Sequence, residues 1–168
     1  MDPEEYFSGF NVGIHGIDAE AVCNAPRFPD VSGKLKSLLS SKLVVTHTDF
    51  DKLALFRVEE KYGISPTDCE WLDTARVCRH AWKQFRKAGY GLRNVADWCG
   101  IEFLHHNAEE DARAAGLVLL RAIADTGLSL DDWTKRLTSP IDSSFAIDLD
   151  RDATLSFSVN LETGTLDS

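Results

Sequence analysis

Blocks of helical periodicity alternate with short apolar runs along most of this chain. Residues 1–17 show no period: Pro3, Gly9, Gly13 and Gly16 interrupt it, and the stretch reads as loop. A short helix is expected from Asp18, after Ile17. A second, at 30–41, follows Pro26 and Pro29 and places Val31, Leu35, Leu38 and Leu39 on one face. Leu43-Val44-Val45-Thr46-His47 is short, apolar and β-branched, so it reads as a buried strand. Thr48-Asp49-Phe50-Asp51 then opens a helix running to about Tyr62, which the stretch 63–66, from Gly63 to Pro66, ends. Residues 69–72 form a brief strand candidate, and Asp73 caps the helix after it. Gly89-Tyr90-Gly91 is a loop, 92–99 an amphipathic helix stopped by Gly100, and 108–124 the longest helical run. Ser129-Leu130-Asp131-Asp132 caps a last helix to about Leu137. After Pro140 the pattern changes: residues 145–150 and 154–161 alternate like strands, with Glu162-Thr163-Gly164 as a turn. Helices alternating with short strands make the class α/β.

The longest helix opens on His105-His106-Asn107-Ala108-Glu109-Glu110-Asp111. Asn107 is placed to cap it, and Glu110, three residues on, completes a variant capping box. One imidazole and one carboxylate, His106 and Asp111, then share a helix N-terminus, where backbone N–H groups favour anions. An acid that holds a metal and a histidine that takes a proton from water need such an arrangement. The same residues also read as a surface cap with an acidic first turn. Asp51 sits at a strand-to-helix junction, the edge of an α/β sheet where ligands bind.

Composition narrows the class. At 168 residues the chain suits one domain with a full core. No apolar stretch approaches membrane-spanning length, and the acidic start Met-Asp-Pro-Glu-Glu is not a secretion signal. Cys23, Cys69, Cys78 and Cys99 form no Cys-x-x-Cys pair; they read as reduced thiols of a cytoplasmic protein rather than a zinc site. A formal net charge of −9 argues against a generic nucleic-acid coat and suits an enzyme that gathers carboxylates around divalent cations. Between positions 76 and 93, however, Arg76, Arg79, Lys83, Arg86, Lys87 and Arg93 occur with no Asp or Glu. That surface suits a phosphate backbone, and it equally suits a solvated helix face.

Three stretches together resemble the DEDDh 3′-5′ exonucleases, the group that includes proofreading subunits similar to the polymerase III epsilon chain. His106 to Asp111 has the form His-x4-Asp. His47-Thr48-Asp49-Phe50-Asp51 is similar to that family's His-Asn-x-x-Phe-Asp segment. The run from Tyr6 to Ile17 is similar to the segment between its first and second motifs. Trp71-Leu72-Asp73-Thr74 and Tyr90-Gly91-Leu92 also sit where the family has similar words, so the likeness covers roughly residues 3–125. It implies an RNase H-like fold, a mixed sheet flanked by helices. It implies two divalent cations, Mg²⁺ or Mn²⁺, clamping a scissile phosphate. Carried over, Asp51 and Asp111 are metal-holding carboxylates and His106 is the general base, with His105 its less favoured neighbour. His15, Gly16 and Ile17 lie near the terminal nucleotide. His47 supports the site; the nucleic-acid contacts read for Lys83, Arg86 and Lys87 rest on the basic run and not on the resemblance. The implied substrate is a single-stranded 3′ end, with a polymerase or an additional domain as a further partner.

Two departures stand out. Thr48 occupies the place where the family usually has Asn. The family also opens on a strand carrying Asp-x-Glu, and nothing before His15 offers one. Three accounts follow. Residues 1–138 are an N-terminally incomplete exonuclease domain, and 139–168 a tail that is a hairpin or a linker to a further domain. Or the tail replaces the first strand, with Asp148 and Asp150 as the missing metal ligands. Or the chain is a catalytically degenerate module that binds nucleic acid or a protein partner. The oligomeric state stays open.

Overall fold

The computed structural model describes residues 1–138; Asp148, Asp150 and the expected tail strands lie outside the described residues. The elements run α1 (Gly9–His15), α2 (Ala19–Val22), α3 (Phe28–Leu39), β1 (Leu43–Thr46), α4 (Phe50–Lys61), β2 (Glu70–Asp73), α5 (Thr74–Ala81), a 3-10 turn (Lys83–Phe85), α6 (Leu92–Cys99), α7 (Ala108–Thr126) and α8 (Leu130–Thr138). No helix among the described residues is long and apolar enough to cross a membrane.

Most elements fall where local signals put them. Asn107 caps α7, its Oδ1 accepting from the Glu109 and Glu110 N–H groups at 3.1 and 3.2 Å. The expected reciprocal half of that box is not made: the Glu110 carboxylate turns to Arg113 at 2.8 Å, and the Asn107 N–H donates to the Leu104 carbonyl instead. Ser129 and Asp132 do form a complete box at α8, each side chain accepting from the other's backbone N–H.

Two readings of the first third need correction. Residues 9–15 are helix, not loop. The Ser8 hydroxyl accepts from the Asn11 N–H at 3.2 Å, and Gly16 closes the other end in the left-handed region at φ 70°, its N–H on the Val12 carbonyl. Caps at both ends offset the helix penalty of the internal Gly13, about 1 kcal/mol. Pro29 sits inside the first turn of α3 rather than before it, where its missing N–H removes no helical bond.

Among the described residues the expected mixed sheet is represented by one parallel pair, with Leu43 opposite Glu70 and Thr46 opposite Asp73. β2, α5, α6, α7 and α8 enclose the core. Leu72, Val77, Val95, Val118 and Trp133 are essentially inaccessible there, and Trp82 packs against Phe85 and Trp98. The other side of β1 is different. Phe10 is 78% exposed, Phe50 69% and Phe56 52%, so the faces of α1 and α4 carry large apolar groups in water. Burying a phenylalanine is favourable by about 1.5–3 kcal/mol, which marks this side as a surface for contact.

Candidate active site

The parallel pair carries the chain out of β1 at Thr46 and out of β2 at Asp73, side by side. The first turn of α5 knits the two ends together. The buried Thr74 Oγ1 lies 2.9 Å from the Thr46 carbonyl, to which it donates, and 2.8 Å from His47 Nδ1. On its other side His47 Nε2 is 2.7 Å from the Tyr90 carbonyl. A carbonyl only accepts, so Nε2 carries the ring proton. Burial lowers the His47 pKa, against the hydrogen bond to the Tyr90 carbonyl and the nearby Asp73 charge. Asp73 caps α5 by accepting from the Ala75 N–H at 2.8 Å, and it accepts from the Thr48 N–H at 2.7 Å. Its burial raises the carboxyl pKa, opposed by those two backbone donors.

Thr48 holds φ 75°, a left-handed conformation that a β-branched side chain adopts only under strain. Asn tolerates that region far better. Thr48→Asn is therefore expected to stabilise the fold by about 1 kcal/mol, on the scale of the left-handed penalty for ordinary residues. Urea unfolding with a raised midpoint and an unchanged m-value would show it; a lowered midpoint would mean that the Thr48 side chain contributes more than its backbone strain removes.

α7 brings the second half. α7 packs on β1, α5 and α6, and its first turn presents Asp111. His106 precedes the cap at φ 69°, another left-handed non-glycine residue. His105 stacks on His106, ring centroids 3.9 Å apart, and its Nδ1 lies 3.1 Å from Asp111 Oδ1. The neighbour that sequence reasoning ranked second is thus the histidine tied to the acid.

One cavity of about 720 Å³ collects these parts. His15, His47, Asp51, His106 and Asp111 all line it, although they come from the end of α1, the end of β1, and the starts of α4 and α7. Apart from Thr46 its remaining walls are apolar, with Ile14, Leu35, Leu39, Val44, Leu55 and Trp71 among them. Gly16 and Ile17 lie just beyond His15 and are exposed, the Ile17 N–H donating to His15 Nδ1 at 3.0 Å. The basic run does not occupy a single helix face. α5 keeps Arg76 and Arg79, while Lys83, Arg86 and Lys87 sit exposed on the 3-10 turn and the loop after it. Arg79 stands over the Tyr90 ring at 5.0 Å, linking that loop to the His47 support. Thr74 and the Tyr90 carbonyl are the residues that sequence reasoning missed. Their signal was their place in the family-like words Trp71-Leu72-Asp73-Thr74 and Tyr90-Gly91-Leu92, which gave neither residue a role.

Asp51 and Asp111 offer the hard oxygen donors that Mg²⁺ and Mn²⁺ prefer. They are too few: among the described residues no group of three or more His, Cys, Asp or Glu is placed to hold an ion. Residues 1–138 alone do not fit a two-metal cage.

A family model described as Exonuclease matches residues 1–119. No curated protein and no solved structure matches the chain.

Proposed function

This chain belongs to the exonuclease family, and from that premise we propose that it is a DEDDh-type 3′-5′ exonuclease with an RNase H-like fold, hydrolysing phosphodiester bonds at single-stranded 3′ ends. Family membership supports a nuclease kind of activity and a nucleic-acid substrate. The observation that carries the finer reading is the convergence of His106, Asp111 and Asp51 on one cavity. In this reading His106 takes the proton from the attacking water. Asp51 and Asp111 are the residues of this domain that would hold Mg²⁺ or Mn²⁺. When bound, the cations neutralise charge developing on the phosphate. His15, Gly16 and Ile17 border the terminal nucleotide. His47, with both ring nitrogens engaged, acts by holding the end of β1 against the Tyr90 loop. Lys83, Arg86 and Lys87 draw the phosphate backbone behind the terminal nucleotide. We place the enzyme in the cytoplasm on its four free thiols, and treat residues 1–138 as its catalytic domain.

The incomplete ligand set favours a second reading, a degenerate module that binds nucleic acid without turnover. A 5′-labelled single-stranded oligonucleotide separates the two. The exonuclease shortens it stepwise from the 3′ end with Mg²⁺ or Mn²⁺, and EDTA stops it. The binding module shifts its mobility equally with and without EDTA and never shortens it. In either case, replacing Lys83, Arg86 and Lys87 together by Ala is expected to weaken binding and to flatten the plot of log affinity against log salt by about one unit per lost contact. An unchanged salt slope would remove these three residues from the interface.

A further inference from the structure

One face of this acidic chain gathers arginines without carboxylates. Arg27, Arg113 and Arg121 each meet an acid, on Glu4, Glu110 and Asp125. Arg76, Arg79, Arg86 and Arg136 form no such pair among the described residues. The fold brings these four together from three elements. Arg76 and Arg79 lie on α5, Arg86 on the turn after it, and Arg136 on α8, which packs against α5. Arg79 Nε donates to the Arg86 carbonyl at 3.4 Å, which holds the turn beside the helix. All four act on the His80 ring: its partial burial lowers the pKa, and Arg76, Arg136, Arg79 and Arg86 lower it further. Lys83 and Lys87 on the turn add charge of the same sign. On α8, Lys135 pairs with Asp131, and Asp132 accepts from Ser129. The chain holds 27 Asp and Glu against 18 Lys and Arg, so the gap is no shortage of acids. Like charges gathered this way repel one another, and an anion among them relieves that repulsion.

This face starts at the cavity wall. Thr74 opens α5 with its Oγ1 2.8 Å from Nδ1 of His47, which lines the cavity. Arg79 stands 5.0 Å over the ring of Tyr90, whose carbonyl meets the same histidine. At about 1.5 Å per residue, His80 lies about 9 Å along the α5 axis from Thr74. A stacked strand rises about 3.4 Å per nucleotide, so that length covers roughly two or three nucleotides. We propose that Arg76, Arg79, Arg86 and Arg136 form a track for the phosphate backbone two or three nucleotides behind the 3′ end, and that His80 takes up a proton when a phosphate lies among them. The identity of the ligand rests on the exonuclease reading; the charge cluster does not. A phosphate cancels the repulsion that opposes a proton on the His80 ring. The ring therefore holds its proton to higher pH in the complex than in the free chain, and affinity rises as the pH falls.

The test measures fluorescence anisotropy of 5′-labelled single strands with the full chain in EDTA, so that nothing is shortened. The double variant Arg76→Gln with Arg136→Gln is expected to bind a strand of about fifteen nucleotides about tenfold more weakly. Its plot of log affinity against log salt should flatten by about 1.4 units, at about 0.7 per contact on a single strand. For a trinucleotide, which ends before Arg136, the loss should stay below about twofold. Equal losses at both lengths overturn the track. So does an equal loss in Lys34→Gln with Lys42→Gln, which removes the same charge from elsewhere on the surface. Affinity for the longer strand should rise severalfold from about pH 8 to about pH 5.5, across the ordinary titration range of histidine, and His80→Gln should flatten that rise. A rise that survives in His80→Gln overturns the proton uptake. A chain that shortens the strand with Mn²⁺ yet ignores the arginine substitutions loses this track and keeps the exonuclease reading. One that passes every binding test and never shortens the strand keeps the track and loses only that reading.

Discussion

His106→Ala is expected to lower turnover of a single-stranded oligonucleotide by about 10²–10⁴-fold, the range for losing a positioned general base, with little change in KM. In the exonuclease reading proposed above, two histidines compete for this role. His105 Nδ1 is engaged with Asp111 at 3.1 Å, so the ring braces the acid. His106 stacks on His105, lines the cavity, and is held in the left-handed region at φ 69°. A non-glycine residue pays about 1–2 kcal/mol for that conformation, and such strain concentrates at functional sites. His105→Ala should therefore cost far less turnover. His106→Gly should lower the rate as far as His106→Ala does while raising the melting temperature, because glycine relieves the backbone and removes the imidazole. Single-turnover rates with saturating Mn²⁺ measure the first effect and calorimetry the second. A larger loss in His105→Ala than in His106→Ala would exchange the two assignments.

The largest effect on stability should come from Trp133→Ala, a loss of about 3–5 kcal/mol, set against a total of about 5–15 for a domain of ordinary stability. Trp133 is fully buried in α8 and belongs to the cluster that includes Val77 and Val118. Its indole Nε1 has no hydrogen-bond partner among the described residues. Phenylalanine keeps most of the apolar ring without that orphaned donor, so Trp133→Phe should lose much less. The comparison also tests where the domain ends, since the family match stops at residue 119 and α8 begins at Leu130. Urea unfolding followed by circular dichroism gives both values. A loss below 1 kcal/mol in the alanine variant would place α8 outside the cooperative core.

Local chemistry made most of the fold legible. Asn107, Asp73 and the Ser129–Asp132 pair announce helix starts, because a side-chain oxygen next to unpaired N–H groups acts within three residues. The apolar run at 43–46 announces β1 for the same reason of short range. The first helix was misread because its two glycines look like breaks, whereas the caps that rescue it lie outside the run. The sequence also pointed to Asp51, His106 and Asp111 from their places at element starts, and to His15 and His47 as words similar to a family's.

What the chain alone left open was decided by contacts distant in sequence. Whether Asp51 and Asp111 share a cavity depends on α7 packing across β1. Which histidine touches the acid depends on a backbone turn at His106 that no propensity predicts. Both ring nitrogens of His47 are engaged because Thr74 and Tyr90, far along the chain, come to meet them. Helix starts are fixed by neighbours a few bonds away. A pocket is fixed by where whole elements come to rest, and only their packing sets that.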